Sequence, residues 1–204
     1  MRTFPALATL AVVCTGLLAG CGGSSDPASE AESDPEVTED PTVTSDPHDE
    51  FQPLQVSMVA QSGTYFPDGV DGVTIGCSDT LVTIDTVPTA TDDREDHVTQ
   101  AIEFLLNDSQ YYHGSPAVTN SLTLSETLEL SSVEVTRSGV DITLSGDVEV
   151  RGECEAYRIQ AQLYATAANT AETNDVSITL DGTELHQVLG VEPVDGSQLV
   201  DISE

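Results

Sequence analysis

The chain of 204 residues contains no lysine and no tryptophan, and aromatic residues make up only 4% of it. Its five basic residues are all arginine: Arg2, Arg94, Arg137, Arg151 and Arg158. Against them stand 36 Asp and Glu, for a formal charge of −31. Such a surface offers no basic groove to neutralise phosphates, which argues against nucleic acid as a partner. With so few rings, the core must be assembled from Val, Leu, Ile and Ala. No Gly-x-Ser-x-Gly elbow occurs, so serine-hydrolase chemistry has no support. Beyond the N-terminal apolar run, no stretch approaches the length needed to span a bilayer. The carboxylate surplus reads as an adaptation to high salt, where screening removes self-repulsion that would oppose compaction. A cation-binding surface is the alternative reading.

What is present begins at the N-terminus. Arg2 supplies a positive start, and Phe4 through Leu18 are almost all apolar or small, the layout of a secretion signal. Leu18-Ala19-Gly20-Cys21 resembles the bacterial lipobox, in which the cysteine thiol is acylated and becomes the new N-terminus. This resemblance implies a lipoprotein signal peptide over residues 1–20, lipidation at Cys21 and attachment to the membrane through that anchor. An ordinary signal peptide with Cys21 at its cleavage point is the alternative. Two acyl chains anchor stably where one is marginal, each buried methylene contributing about 0.8 kcal/mol. Lipid would have to do this alone, because so acidic a chain is repelled by anionic headgroups. Residues 21–53 are Gly, Ser, Asp, Glu, Pro and Thr with few aliphatics, which predicts a disordered acidic linker extended by its own charge. Residues 54–204 suffice for one domain.

Within that domain the apolar spacing alternates between two periods. Val56, Met58 and Ala60 predict a strand, followed by the turn-rich Pro67-Asp68-Gly69-Val70-Asp71-Gly72. Leu81, Val82, Ile84 and Val87 predict a second strand that Pro88 should end. Asp92 with Glu95 forms a capping box, and Val98, Ala101, Ile102, Leu105 and Leu106 predict a helix over 93–107. Val133 to Leu144, turning at Ser138-Gly139, reads as a hairpin. Ala156, Ile159, Leu163 and Ala167 predict a second amphipathic helix over 155–171. Val176, Ile178 and Leu180 then alternate into a tight turn at Asp181-Gly182. The expected fold is α+β, a mixed sheet with two amphipathic helices.

This order of elements, with Leu81-Val82-Thr83-Ile84, Phe104-Leu105-Leu106, the hairpin and Val176-Ser177-Ile178-Thr179-Leu180-Asp181-Gly182, resembles the GerMN domain of sporulation and spore-germination proteins and envelope lipoproteins. Two segments are more specific. Gly76-Cys77-Ser78-Asp79-Thr80-Leu81-Val82 is similar to the "G-C-x-D-x-L-V" entry of one lipoprotein branch. The stretch from Gly152 to Leu163 is similar to its "G-x-C-x-x-P-R-x-x-A-Q-L" segment, with Tyr157 where that pattern has proline. The resemblance covers about residues 54–185 and implies an α+β domain, a cell-envelope location and no catalytic residues.

The four cysteines divide by location. Cys14 would leave with the signal and Cys21 would take lipid, so Cys77 and Cys154 remain in an exported domain, where thiols usually pair. A Cys77–Cys154 disulfide is expected, with two buried free thiols as the alternative. A thiol nucleophile served by His97, His113 or His186 has no motif behind it. The acidic run Asp92-Asp93-Arg94-Glu95-Asp96-His97 reads as a solvated helix start rather than a metal site. Asp68 and Asp71 lack calcium-loop spacing. Arg158 is expected to form an ion pair within the domain, with an anionic partner group as the alternative. The expected function is that of a non-enzymatic, membrane-anchored lipoprotein at an extracytoplasmic site, acting through another envelope protein or self-association, with no cofactor and no metal. A module that binds a small ligand or cation is the second hypothesis.

Overall fold

The computed structural model describes residues 52–89, 91 and 93–200. The signal at 1–20, Cys21 and the linker as far as residue 51 lie outside the described residues, as does Asp92. The elements are β1 (Gln52–Ala60), β2 (Val73–Thr74), a 3-10 turn (Gly76–Ser78), β3 (Thr80–Thr89), α1 (Arg94–Asn107), β4 (Tyr112–His113), β5 (Val118–Thr119), β6 (Glu129–Val135), β7 (Val140–Ser145), α2 (Glu153–Ala171), β8 (Val176–Leu180), β9 (Thr183–Glu184), α3 (Leu185–Leu189) and α4 (Gly196–Leu199). The fold is α+β. β1 starts inside the residues assigned to the linker, because pairing of Gln52 and Pro53 with Thr89 and Pro88 draws them into the sheet.

The strands fall into two sheets rather than one. A five-stranded antiparallel sheet runs β2-β3-β1-β5-β4, and a four-stranded mixed sheet runs β6-β7-β8-β9. The second is built from the hairpin of β6 and β7, followed by α2 as the crossover that lets β8 lie parallel to β7. Val140, Ile142 and Leu144 align there with Val176, Ile178 and Leu180. Asp181 and Gly182, both at positive φ, make the two-residue turn into β9.

Helix α2 explains why the sheets do not merge. On the side of β1 away from β3, the Ser57 N–H donates to Thr166 Oγ1 at 2.9 Å. Thr170 Oγ1 donates to the Gln55 carbonyl at 3.2 Å, and Thr119 Oγ1 to the Val59 carbonyl at 2.9 Å. The two threonine hydroxyls of α2 thus take the place of a neighbouring strand over most of this edge, and β5 pairs with β1 only at Val59. The pairing of 57 with 166 and of 55 with 170 runs α2 antiparallel to β1.

Two cores follow from this placement. Val56 and Met58 of β1 join Val98, Ile102 and Leu105 of α1, Ile142 and Leu144 of β7, and Ile159 and Leu163 of α2. On another face of α2, Ala161, Ala165 and Ala168 pack with Val59, Leu81, Leu199 and Val200. The small alanines let α2 approach closely on a side that apolar periodicity alone does not mark.

Two local expectations are corrected. Pro88 does not end the second strand, which continues to Thr89. β2 pairs only with Thr80 and Leu81, so beyond Leu81 this strand is an edge among the described residues, where a missing N–H costs no ladder bond on the open side. The cap of α1 is Asp93, not Asp92: its carboxylate accepts from the N–H groups of Glu95 and Asp96 at 2.9 and 3.1 Å. The Glu95 carboxylate instead accepts from the Val135 N–H, tying α1 to β6.

Thr166→Val keeps the shape of the side chain but strands the buried Ser57 N–H. It should lower unfolding free energy by about 1–3 kcal/mol, seen as a lower urea midpoint at unchanged slope. A pH prediction comes from Tyr164, whose hydroxyl donates to the Asn174 carbonyl. Burial, and then the Asp175 carboxylate, push this phenol above its ordinary 10.0. The folded state keeps a proton that the unfolded chain releases, so this contribution is full below pH 10.0 and is lost as pH rises through the folded value. Tyr164→Phe should flatten that alkaline fall in unfolding free energy.

Candidate functional site

The segment Gly76-Cys77-Ser78-Asp79 is fastened to the start of α2 by two links of different kind. Cys77 and Cys154 form a disulfide with their Cα atoms 5.7 Å apart. Next to it, Arg158 Nε donates to Asp79 Oδ2 at 2.6 Å, and Asp79 is wholly buried. The second oxygen, Asp79 Oδ1, accepts from the Ser62 N–H at 2.8 Å, so both carboxylate oxygens are used. Cys154 and Arg158 stand four residues apart, one helical turn, and therefore project from one face of α2.

The geometry demands such fastening. Cys77 and Ser78 both sit in the left-handed region, at φ of 63° and 60°. Neither residue type favours that conformation, so surrounding contacts must impose it. Tyr157 contributes from below: a Cβ added to Gly76 would lie 3.1 Å from its ring, so the turn rests closely on that tyrosine. This is the position at which the chain departs from the proline of the similar lipoprotein pattern. Gly152 gives α2 no side-chain cap, but the Glu155 carboxylate accepts from the Arg151 N–H at 2.6 Å.

Further along α2, a buried amide pair joins the helix to the loop after β5. Gln162 Nε2 donates to Asn120 Oδ1 at 2.9 Å, and Gln162 Oε1 accepts from the Ser121 N–H at 3.0 Å. Asn120 Nδ2 reaches the Leu105 carbonyl at 2.8 Å, which draws in the end of α1. Neither Asn120 nor Gln162 is singled out by the sequence. The available signal was Gln162 beside the apolar stripe, within the motif from Gly152 to Leu163.

The remaining candidates are dispersed. His97 lines a groove of about 480 Å³ with Asp93, Arg94, Asn169 and Glu172, and its buried Nε2 has no hydrogen-bond partner among the described residues. That groove lies at the C-terminal end of α2, whereas Cys154 lies at the other end, roughly 20 Å away at 1.5 Å per residue. His97 therefore cannot serve the sulfurs. His113 Nε2 lies 2.7 Å from Asp108 Oδ2 and 3.0 Å from the Gln110 carbonyl. His186 is on α3, remote in sequence from the cysteines. Asp68 and Asp71 are exposed in their turn. No group of three or more His, Cys, Asp or Glu side chains among the described residues is placed to share a metal ion. The Arg158 ion pair lies inside the domain, with Asp79 as its partner.

The two links should separate by experiment. Replacing both cysteines by serine frees a 77-residue separation in the unfolded chain, worth about 4 kcal/mol in the chain-entropy account. Asp79→Ala with the bridge intact leaves Arg158 without its carboxylate and should cost about 3 kcal/mol. Chemical denaturation under oxidising conditions measures both.

No curated protein matches the chain. Among solved structures, the tandem GerMN domains of the sporulation protein GerM from Bacillus subtilis are 14% identical, with a TM-score of 0.47. That match covers 80% of this chain and 51% of the other, so the chain spans about half the length of that structure. The model of the Germane family, described as sporulation and spore germination, matches residues 64–186, from the loop after β1 to α3. The chain belongs to the Germane, sporulation and spore germination, family.

Proposed function

We propose that this Germane-family protein is a non-enzymatic lipoprotein of the cell envelope, tethered through Cys21, whose domain works by contact with another protein. The observation that carries this reading is the Cys77–Cys154 bridge, because disulfides form and persist in oxidising, extracytoplasmic compartments. The same bridge leaves neither sulfur as a thiolate, so a cysteine nucleophile has nothing to work with. Support for the tether comes from Leu18-Ala19-Gly20-Cys21 and the acidic stretch behind it. A protein of such charge gains little from the membrane surface itself, which leaves lipid as the means of attachment. Contact with a partner is the kind of work that a cross-linked domain displayed on an extended tether can do.

The test is fractionation of cells expressing the full chain and its Cys21→Ser variant, with mass spectrometry of the product. The natural chain should partition into detergent and carry acyl mass on Cys21. The variant should appear in the aqueous phase. Unprocessed chain in the cytosol, with Cys77 and Cys154 open to alkylation, would contradict the proposal.

A further inference from the structure

We propose that the end of the domain around the disulfide is a docking patch for a partner protein segment that presents a carboxylate beside an apolar side chain. The inference rests on the contact reading above and names the chemistry of the partner.

The chain has only five tyrosines and five basic residues, and they are not scattered evenly. Tyr111, Arg151, Cys154 and Arg158 border one hollow of about 310 Å³. Tyr112 packs edge-on against Tyr111, ring centroids 4.7 Å apart, and is 65% exposed. The Tyr111 hydroxyl accepts from Gln61 Nε2 at 2.8 Å, which fixes its ring from behind. Tyr157 supports the same region from under Gly76. Tyrosine and arginine are the residue types that anchor protein interfaces, since both offer large contact area with a polar tip. Here they gather in a chain otherwise poor in each.

Charge selects the occupant. Asp79 neutralises Arg158, but Arg151 makes no ion pair among the described residues. Glu155 binds the Arg151 backbone N–H and is buried. An exposed arginine on the rim of the hollow that Tyr111 also borders fits a carboxylate with an apolar neighbour, the acid on the fork and the apolar group on the rings. Glu153 and the buried Glu155 also border the hollow and disfavour a further acid there. The total charge of −31 does not prevent this, because screening confines the repulsion to about 10 Å or less at 0.1 M salt and above.

Position adds an independent argument. The N-terminal segment joins the domain at Gln52, whereas Gln61 and Ser62, which hold Tyr111 and Asp79, follow the opposite end of β1. At about 3.3 Å per residue the two ends are roughly 26 Å apart. The patch therefore lies at the end of β1 opposite the one where the N-terminal segment enters.

The experiment places a photo-crosslinking amino acid at Tyr112, or at the exposed Val188 as control, in the full chain in its own cells. Position 112 should yield one adduct to a different protein, the captured peptide should contain Asp or Glu, and Val188 should yield none. Arg151→Glu should reduce the adduct about tenfold or more, and changing the captured acid to Arg should restore it. Mass spectrometry under alkylation confirms that the variant keeps its disulfide. An adduct indifferent to Arg151→Glu, an adduct to a second copy, or one to cell-wall glycan would overturn the proposal. Protein adducts at Val188 but not at 112 would overturn the patch and leave the contact reading standing. None at either position would count against both.

Discussion

A strand buried over most of its length and fully paired along only one edge still has a row of backbone groups that need partners. In this domain the edge of β1 away from β3 is that row, and helix α2 satisfies it with the hydroxyls of Thr166 and Thr170, joined by Thr119 from β5. The rest of the architecture follows. Because a helix occupies most of that edge, β5 joins β1 there only at Val59, and β7 and β8 belong to a separate sheet. Because the helix must approach the strand closely, one of its faces is alanine at 161, 165 and 168.

Such a contact is long-range and needs a fixed register. Hydrogen bonds between residues more than a hundred positions apart cannot form until α2 has found its place along β1. The disulfide and the Asp79–Arg158 pair act at one end of this contact, and the Asn120–Gln162 amides act near its middle. The bridge shortens the search by restricting the unfolded chain. The buried polar groups penalise any other register, since a shift would leave them unpartnered. The same fastening holds Tyr111, Tyr157 and Arg151 in a constant arrangement at the surface.

Much of this order was legible in the chain, and the reasons for the rest are specific. Helices α1 and α2, the β6–β7 hairpin and the Asp181-Gly182 turn announce themselves by apolar period and turn residues within short windows. The pairing of Cys77 with Cys154 followed from where each cysteine would reside. Asp79 and Gln162 stand in the two specific motifs, but their burial, like that of Asn120 and Thr166, was not visible, because it depends on a partner far along the chain. The division into two sheets was hidden for the same reason: strand period says which face is apolar, not which edge is free. Pro88 misled because proline is excluded only from edges that have partners. Asp93 displaced Asp92 as the cap by a single residue, a choice that composition cannot make between adjacent acids.

The central claim is that α2 replaces a strand at the edge of β1. Native-state hydrogen exchange of the Ser57 amide tests it most directly. The account predicts that this amide, though outside any strand-to-strand ladder, exchanges as slowly as the amides in the middle of α2 and through the same opening. Exchange at the rate of the open edge of β3 beyond Leu81 would show that the helix does not close the strand, and the account would fail.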